Sequence, residues 1–313
     1  MANVTAGMVK ELRDMTGAGM MDCKTALTET GGDIEQAIDW LRKKGLSKAA
    51  KKADRVAAEG LIGVALDGAS GALVEVNSET DFVARNETFQ VMVRQIAALA
   101  VKAGGSIEKL LAMPYPGKGH SVDEHVKEMI ATIGENMSVR RTASISASSG
   151  AVASYVHNRV ADGVGRIGVL VALSTAGDKA KLAEIGRQVA LHVAAANPQA
   201  ATIEQLDKAL VERERSVYLE QALASGKPKE IVEKMVEGRL RKEFFGQVVL
   251  TEQVFMGPGG DGKITVAQYL KSEEKAVGGT IKLDGFVRYT LGEGIDKKTT
   301  DFAAEVAALS KPN

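Results

Sequence analysis

Residues 75–86 read Glu75-Val76-Asn77-Ser78-Glu79-Thr80-Asp81-Phe82-Val83-Ala84-Arg85-Asn86, and the layout of the chain follows from them. The stretch begins as the end of an apolar strand, Ala72-Leu73-Val74-Glu75-Val76, in which aliphatic side chains surround one charge. It breaks into the polar run Asn77 to Asp81, whose side chains compete for backbone hydrogen bonds and so favour a turn. Phe82-Val83 follows at once, and a helix is expected from about Thr88. An aromatic at the tip of a polar loop has two readings. It packs into the chain's own core, the commoner fate of a lone aromatic, or it is a short hydrophobic wedge with a carboxylate beside it, offered to a partner.

Before this stretch, Leu61 to Leu66 reads as a strand, and Asp67-Gly68-Ala69-Ser70-Gly71 joins it to the next as a hairpin. After it, Phe89, Met92, Val93, Ile96, Leu99 and Ala100 mark an amphipathic helix that ends at Gly104-Gly105. Ser121 with Glu124 caps another. Strands at 152–157 and 167–173 and a helix from Asp178 to Asn197 repeat the scheme, which predicts a duplicated α+β core with antiparallel sheets. Residues 203–242 place Ile203, Leu206, Leu210, Arg213 and Val217 near a heptad, and Ile231, Met235 and Leu240 continue after Gly226-Lys227-Pro228. An inserted antiparallel helical hairpin is predicted there. Strand character returns at 246–256 and 280–291, and Thr300 or Asp301 caps a C-terminal helix containing Phe302.

At the N-terminus three short helices are predicted. Thr5 caps the first, Gly31-Gly32 ends the second, and Asp33 with Gln36 opens a third that closes before Gly45. Met20-Met21 beside a glycine turn suits either core filling or an adaptable binding surface. Lys48, Lys51, Lys52 and Arg55 form a basic helical linker without the interleaved aromatics that stack on nucleic-acid bases.

Composition narrows the function classes. Lys+Arg and Asp+Glu both total 40, so no global charge draws the chain to nucleic acid or an anionic membrane. Cys23 is the only cysteine, which excludes an intrachain disulfide or a cysteine zinc site. The chain opens without a signal-peptide pattern, and no apolar run is long enough to span a bilayer, so a soluble cytoplasmic protein is expected.

Two glycine patterns raise a nucleotide-dependent enzyme as an alternative. Gly163-Val164-Gly165-Arg166-Ile167-Gly168 fits G-x-G-x-x-G, but a strand follows where the dinucleotide fingerprint needs a helix. Gly257 to Lys263 approaches a phosphate-binding loop, but Ile264 stands where a magnesium-ligating hydroxyl is required. His120 and His125 are five apart at a loop-to-helix junction, which misses the spacing of a helical metal pair, and no acidic cluster completes a site. Neither a cofactor nor a metal is called for, and no catalytic constellation is present.

Residues 75–85 closely resemble the core signature of the bacterial translation elongation factor Ts family. A second signature runs from Leu12 through Asp14-Met15-Thr16-Gly17-Ala18-Gly19-Met20-Met21 to Leu27. Further similar runs are Ile133-Gly134-Glu135-Asn136, Gly226-Lys227-Pro228-Lys229-Glu230-Ile231 and Thr300 to Val306, in the family's order. The resemblance implies a non-enzymatic exchange factor that releases GDP from the GTPase elongation factor Tu by displacing its magnesium. It implies a ubiquitin-associated-like docking bundle at 1–45, a linker at 46–58 and a core N-subdomain at 59–140. The core C-subdomain is expected at 141–202 and 243–295, interrupted by the hairpin at 203–242, with a C-terminal module at 296–313. It assigns the magnesium-dislocating wedge to Thr80, Asp81, Phe82 and Val83, and other partner contacts to Arg13, Met20, Met21, His157 and Phe302. The hairpin is expected to meet either a domain of the partner or a second copy, which leaves a homodimer or a two-to-two complex open. A helical scaffold that binds without altering GDP release is the remaining alternative.

Overall fold

The computed structural model describes residues 4–224 and 226–296, so the expected C-terminal helix with Phe302 lies outside the described residues. The chain is α+β. Three helices lead it: α1 (Ala6–Thr16), α2 (Met20–Glu29) and α3 (Ile34–Ala50). The Thr5 hydroxyl accepts from the Met8 N–H, and the Asp33 carboxylate from the Gln36 N–H at 2.9 Å, so both predicted caps are made. Leu12, Cys23, Ala26, Leu27 and Ala37 form the small core between the helices. The third helix does not stop at Gly45. That glycine is buried where α3 crosses the later helix α7 (Val122–Ile133), and a Cβ there would lie 3.3 Å from the Ala131 methyl. The boundary expected at 45 therefore falls inside a helix, and the expected linker helix is the last turn of α3 followed by a turn at 51–55.

The core is built from two antiparallel sheets packed face to face. In the first, β1 (Glu59–Asp67) and β2 (Ser70–Ser78) form the predicted hairpin, paired from Glu59↔Ser78 to Asp67↔Ser70. Beyond them come α4 (Asp81–Ala84), α5 (Glu87–Ala103), α6 (Ile107–Ala112) and α7. The chain then returns as β3 (Met137–Ser146) along the free edge of β2. This strand was not expected, and the boundary expected at 140/141 cuts it. The second sheet takes β4 (Gly150–His157), β6 (Ile167–Ser174) and β7 (Lys282–Thr290) in the order β4-β6-β7, while the two-residue β5 (Val164–Gly165) pairs with β1. Phe89, Val93 and Ile96 of α5 cover the outer face of the first sheet, and Leu182, Val189 and Val193 of α8 (Lys179–Ala196) cover that of the second. Between the sheets lie Leu73, Ala147, Val152, Leu170 and Ala172. The sheets approach closely because Gly168 has no side chain: a Cβ there would meet the Ile62 Cγ2 at 2.6 Å. The G-x-G-x-x-G pattern thus serves sheet packing.

The duplication is visible in the topology. Each half runs hairpin, covering helix, helical excursion and a third strand on the hairpin's second strand, with a bulge in that last pairing, at Glu75/Val76 and at Ala172/Leu173. In the second half the excursion contains the hairpin of α9 (Lys208–Leu223) and α10 (Lys229–Arg239). Its seam takes the predicted Leu240 with Val211, Tyr218, Ala222, Val232 and Val236; four of these stand one residue after the predicted Leu210, Val217, Ile231 and Met235, the predicted Ile203 and Leu206 join the same cluster, and Val217 and Ile231 are exposed. The strand expected from 246 is absent. The chain continues from α10 through a widened helical turn at Leu240–Phe245 into α11 (Gly246–Val248) and a 3₁₀ turn at Leu250–Glu252. Val249 and Leu250 are buried by that route, which gives their apolar run its reason without a sheet. Thr265 caps α12 (Val266–Val277) with a capping box. No described helix is long and apolar enough to cross a membrane.

One polar group ties these parts together. Glu75 of β2 is fully buried, and its carboxylate accepts from Arg140 Nη1, from Arg141 Nε at 2.6 Å, from the Asn77 amide and from the Gly292 N–H at 2.9 Å. Burial alone would raise its pKa, but the Gly292, Asn77 and Arg141 donors together outweigh it and hold the carboxyl below its usual range. The unfolded group titrates near pH ~4.3. Its contribution to stability is therefore complete above that value and is lost as pH falls through the lower folded value. Glu75→Gln should cost about 3–5 kcal/mol at pH 7, since it leaves two arginines short of their buried anion. Denaturant titrations at pH 7 and at pH 3 should show that penalty shrink in acid; an equal penalty at both would rule out an ionic role.

Candidate partner-binding site

The polar run after β2 is a tight, fully committed turn. The Ser78 hydroxyl donates to the Thr80 carbonyl at 3.0 Å. Both the N–H and the hydroxyl of Thr80 donate to the Glu135 carboxylate, at 2.9 and 2.6 Å. The Glu79 carboxylate accepts from the Asn136 N–H and pairs with Arg55 at 3.5 Å. Asn136 in turn donates its amide to the Ala53 and Arg55 carbonyls, which ties in the chain leaving α3. The turn is clamped from two sides by Glu135-Asn136, and those residues sit where α7 hands over to β3.

This clamp decides which way the next residues face. Thr80 begins the one-turn helix α4 from an extended backbone. Val83 is 4% exposed and Ala84 is buried beside it in the first core. With Val83 inside, the neighbouring Phe82 must point outward, and its ring is 74% exposed. Asp81 pairs with Arg85 at 3.2 Å across the turn, so the carboxylate beside the phenyl carries a guanidinium partner. The Gln90 amide donates to the Ala84 carbonyl at 3.0 Å and fastens α4 to α5. An exposed phenyl on a backbone held at both ends is a projecting apolar contact. It is not a core residue.

A profile described as Elongation factor TS matches residues 79–293. An elongation factor Ts of Parvibaculum lavamentivorans is 60% identical over 99% of this chain and 100% of its own. Those of Rhodospirillum rubrum and Rhodospirillum centenum are 59% and 56% identical, again over 99% of this chain and 100% of theirs. The chain belongs to the elongation factor Ts family. The resemblance read from residues 75–85 is thereby confirmed.

The other expected contact residues of this elongation factor Ts chain fall in two further places. Met20 and Met21, at the start of α2, are exposed together with Met15 and Arg13 around the glycine turn 17–19. They do not fill the small core. Behind them, Asp22 is held below the usual carboxylate range by Lys48 at 2.7 Å, against some burial, and by Lys44. His157 ends β4 exposed, with its Nδ1 3.3 Å from the Tyr155 hydroxyl. The positive-φ residue Asn158 turns the chain away behind it. Glu135, Asn136 and Arg85 were not singled out as site residues, although the run Ile133 to Asn136 had been noted. Only the fold shows that it grips the turn after β2.

The near phosphate-binding loop at 257–263 is closed on itself. Asp261 accepts from the N–H groups of Lys263 and Ile264 at 2.9 and 3.1 Å, and Gly257 lies against the Phe255 ring. Those N–H groups are not free to cradle a phosphate.

The clamp yields a test. Glu135→Ala removes one carboxylate that serves two donors of Thr80 and should cost about 1–3 kcal/mol. Amide exchange should speed up from Thr80 to Arg85 more than elsewhere in the chain. A uniform change would show that Glu135 does not order the turn.

Proposed function

We propose that the chain is a guanine nucleotide exchange factor acting on elongation factor Tu in translation elongation, in the cytoplasm. The observation that carries this reading is the outward Phe82 on its clamped turn, in a chain of the elongation factor Ts family. A GTPase of this type holds nucleotide through its phosphate-binding loop and a magnesium ion that bridges protein and phosphate. A phenyl ring buried between elements of the GTPase supplies on the order of 2 kcal/mol, and only if those elements part. Asp81 places an acidic group beside the ring, in reach of the region from which magnesium must leave, with Arg85 as its partner until docking. Thr80 and Val83 act from behind, as the residues that fix the wedge's direction.

By linkage, whatever factor the bound chain removes from GDP affinity, GDP removes from the affinity of the chain for the GTPase. The chain makes and breaks no bond in this scheme. The exposed methionines with Arg13, and His157, supply the other docking contacts. The α9–α10 hairpin offers exposed Val217, Leu223 and Ile231 to a partner domain or a second copy.

The test is stimulated GDP release from elongation factor Tu, followed by stopped flow. Phe82→Ala should leave stability within about 0.5 kcal/mol, in contrast to the roughly 3–5 kcal/mol that a core phenylalanine would cost, and should slow stimulated release severely. A folded Phe82→Ala protein with full exchange activity would remove the wedge from the mechanism. Met21→Glu, on a side chain 72% exposed, should weaken binding to the GTPase without changing thermal unfolding. Unchanged affinity there would remove the methionine patch from the interface.

A further inference from the structure

His120 and His125 are five positions apart, which takes them off any common helical face, yet the fold brings them together and adds a carboxylate. His125 and Glu128 are one turn apart on α7, and His120 lies just before its cap, Ser121. His120 Nε2 is 3.4 Å from His125 Nδ1 and 3.3 Å from Glu128 Oε2, and His125 Nδ1 is 2.9 Å from the same oxygen. For a tetrahedral ion with ligands at about 2.0–2.1 Å, ligand atoms stand about 3.3 Å from one another. Two edges of the triangle, 3.4 and 3.3 Å, match that separation, and the third, 2.9 Å, is shorter. We propose that His120, His125 and Glu128 form a binding site for a divalent transition-metal ion of the zinc class, with water completing the coordination.

The surroundings support this. The His125 ring is stacked on Tyr115 at 3.7 Å, and the Tyr115 N–H donates to the His120 carbonyl at 2.9 Å, so one tyrosine positions both histidines. Glu128 presents one oxygen to the histidines and the other to Lys118 Nζ at 3.4 Å, an outer contact of the kind that orients a ligating carboxylate. His120 and Glu128 border a cavity of about 110 Å³ between α3 and α7, which has room for the water ligand.

Nearby acids and the thiol are already committed. Glu124 serves Ser121 and Arg42, Asp22 serves Lys44 and Lys48, and Cys23 is buried in the three-helix core. The residue set is two imidazoles and one carboxylate, the donors of open zinc sites. A bound ion would fasten the loop 114–121 to α7 beside the crossing with α3. This inference does not depend on the exchange-factor reading, because its readout is the metal.

Untagged full-length protein, stripped with a chelator, is titrated with Co²⁺ and then with Zn²⁺. One equivalent of Co²⁺ should give the visible absorption of a tetrahedral centre, and Zn²⁺ should bleach it and raise the thermal unfolding temperature. His120→Ala and Glu128→Gln, checked for native circular dichroism, should bind at least about tenfold more weakly and lose the thermal shift. His120 lies at the loop's edge and Glu128→Gln keeps the shape, so at least one variant remains folded for the comparison. No stoichiometric uptake by the unaltered chain would overturn the proposal. So would equal uptake by that chain and a folded variant.

Discussion

The buried carboxylate of Glu75 is the constraint on which the rest of the molecule depends. Taking a charge out of water costs several kcal/mol unless it is paired and hydrogen-bonded. Here the solvation shell is replaced by groups from three places: Asn77 on the same strand, Arg140 and Arg141 on β3, and the Gly292 N–H beyond β7. Adjacent residues of a regular strand point to opposite faces, so two consecutive arginines should not reach one acid. The bulge resolves this. Glu75 pairs with Arg141 and Val76 with Val139, so Arg140 is the extra residue, and the local kink turns both guanidinium groups to the same carboxylate. Arg141 continues to the Thr290 carbonyl and lies over the Tyr289 ring at 4.1 Å. The first sheet is thus joined to the closing strand of the second.

That junction also sets where the turn that carries Phe82 begins. β2 carries Glu75 in its interior and ends at Ser78, three residues later, so the register fixed by the buried acid fixes where the strand runs out. β3, held by the same arginines, begins at Met137, just after the Glu135-Asn136 clamp. Both sides of the turn are delivered by strands whose pairing is locked nearby. Phe82 inherits its position from that geometry.

Much of this was legible in the residues, and the exceptions have physical causes. Capping signals were reliable: Thr5, Asp33, Ser121 and Asp178 all cap helices. Each acts locally, on backbone N–H groups two or three residues away, so spacing alone specifies it. β3 was missed because its arginines destroy the alternation that marks a strand, and the bulge that accommodates them is a tertiary feature. Gly45 was read as a stop because glycine commonly ends helices, whereas here it makes room for Ala131. The run at Gln247-Val248-Val249-Leu250 has β-branched residues and strand propensity, but it follows a helix without a break and finds its burial there. The side-chain clamp on Thr80 spans 55 residues of sequence and the triangle of His120, His125 and Glu128 depends on a loop geometry, so neither has a local signal. For Phe82 the residues left two readings open, and the inward neighbour Val83 decides between them.

The cost of exposing Phe82 explains why the turn around it is so heavily bonded. A free phenyl ring forgoes roughly 1.5–3 kcal/mol of burial within its own chain, and a flexible loop would relieve that by folding the ring back onto the surface. The outward position persists only if the backbone cannot rearrange. Glu135 on Thr80, Asn136 on Glu79, Val83 in the core and Gln90 on Ala84 remove that freedom at successive residues. The same rigidity favours association. Ordering a loop and its side chains on docking would consume about 0.5–1.5 kcal/mol for each side chain fixed, a cost the folded chain has already met. Under the proposed exchange-factor reading, a wedge that parts the elements of its partner also needs a stiff mount, because a mobile ring would move aside before the partner yielded. The polar clamp and the apolar tip are therefore one device, and loosening the first should blunt the second even where every atom of Phe82 is retained.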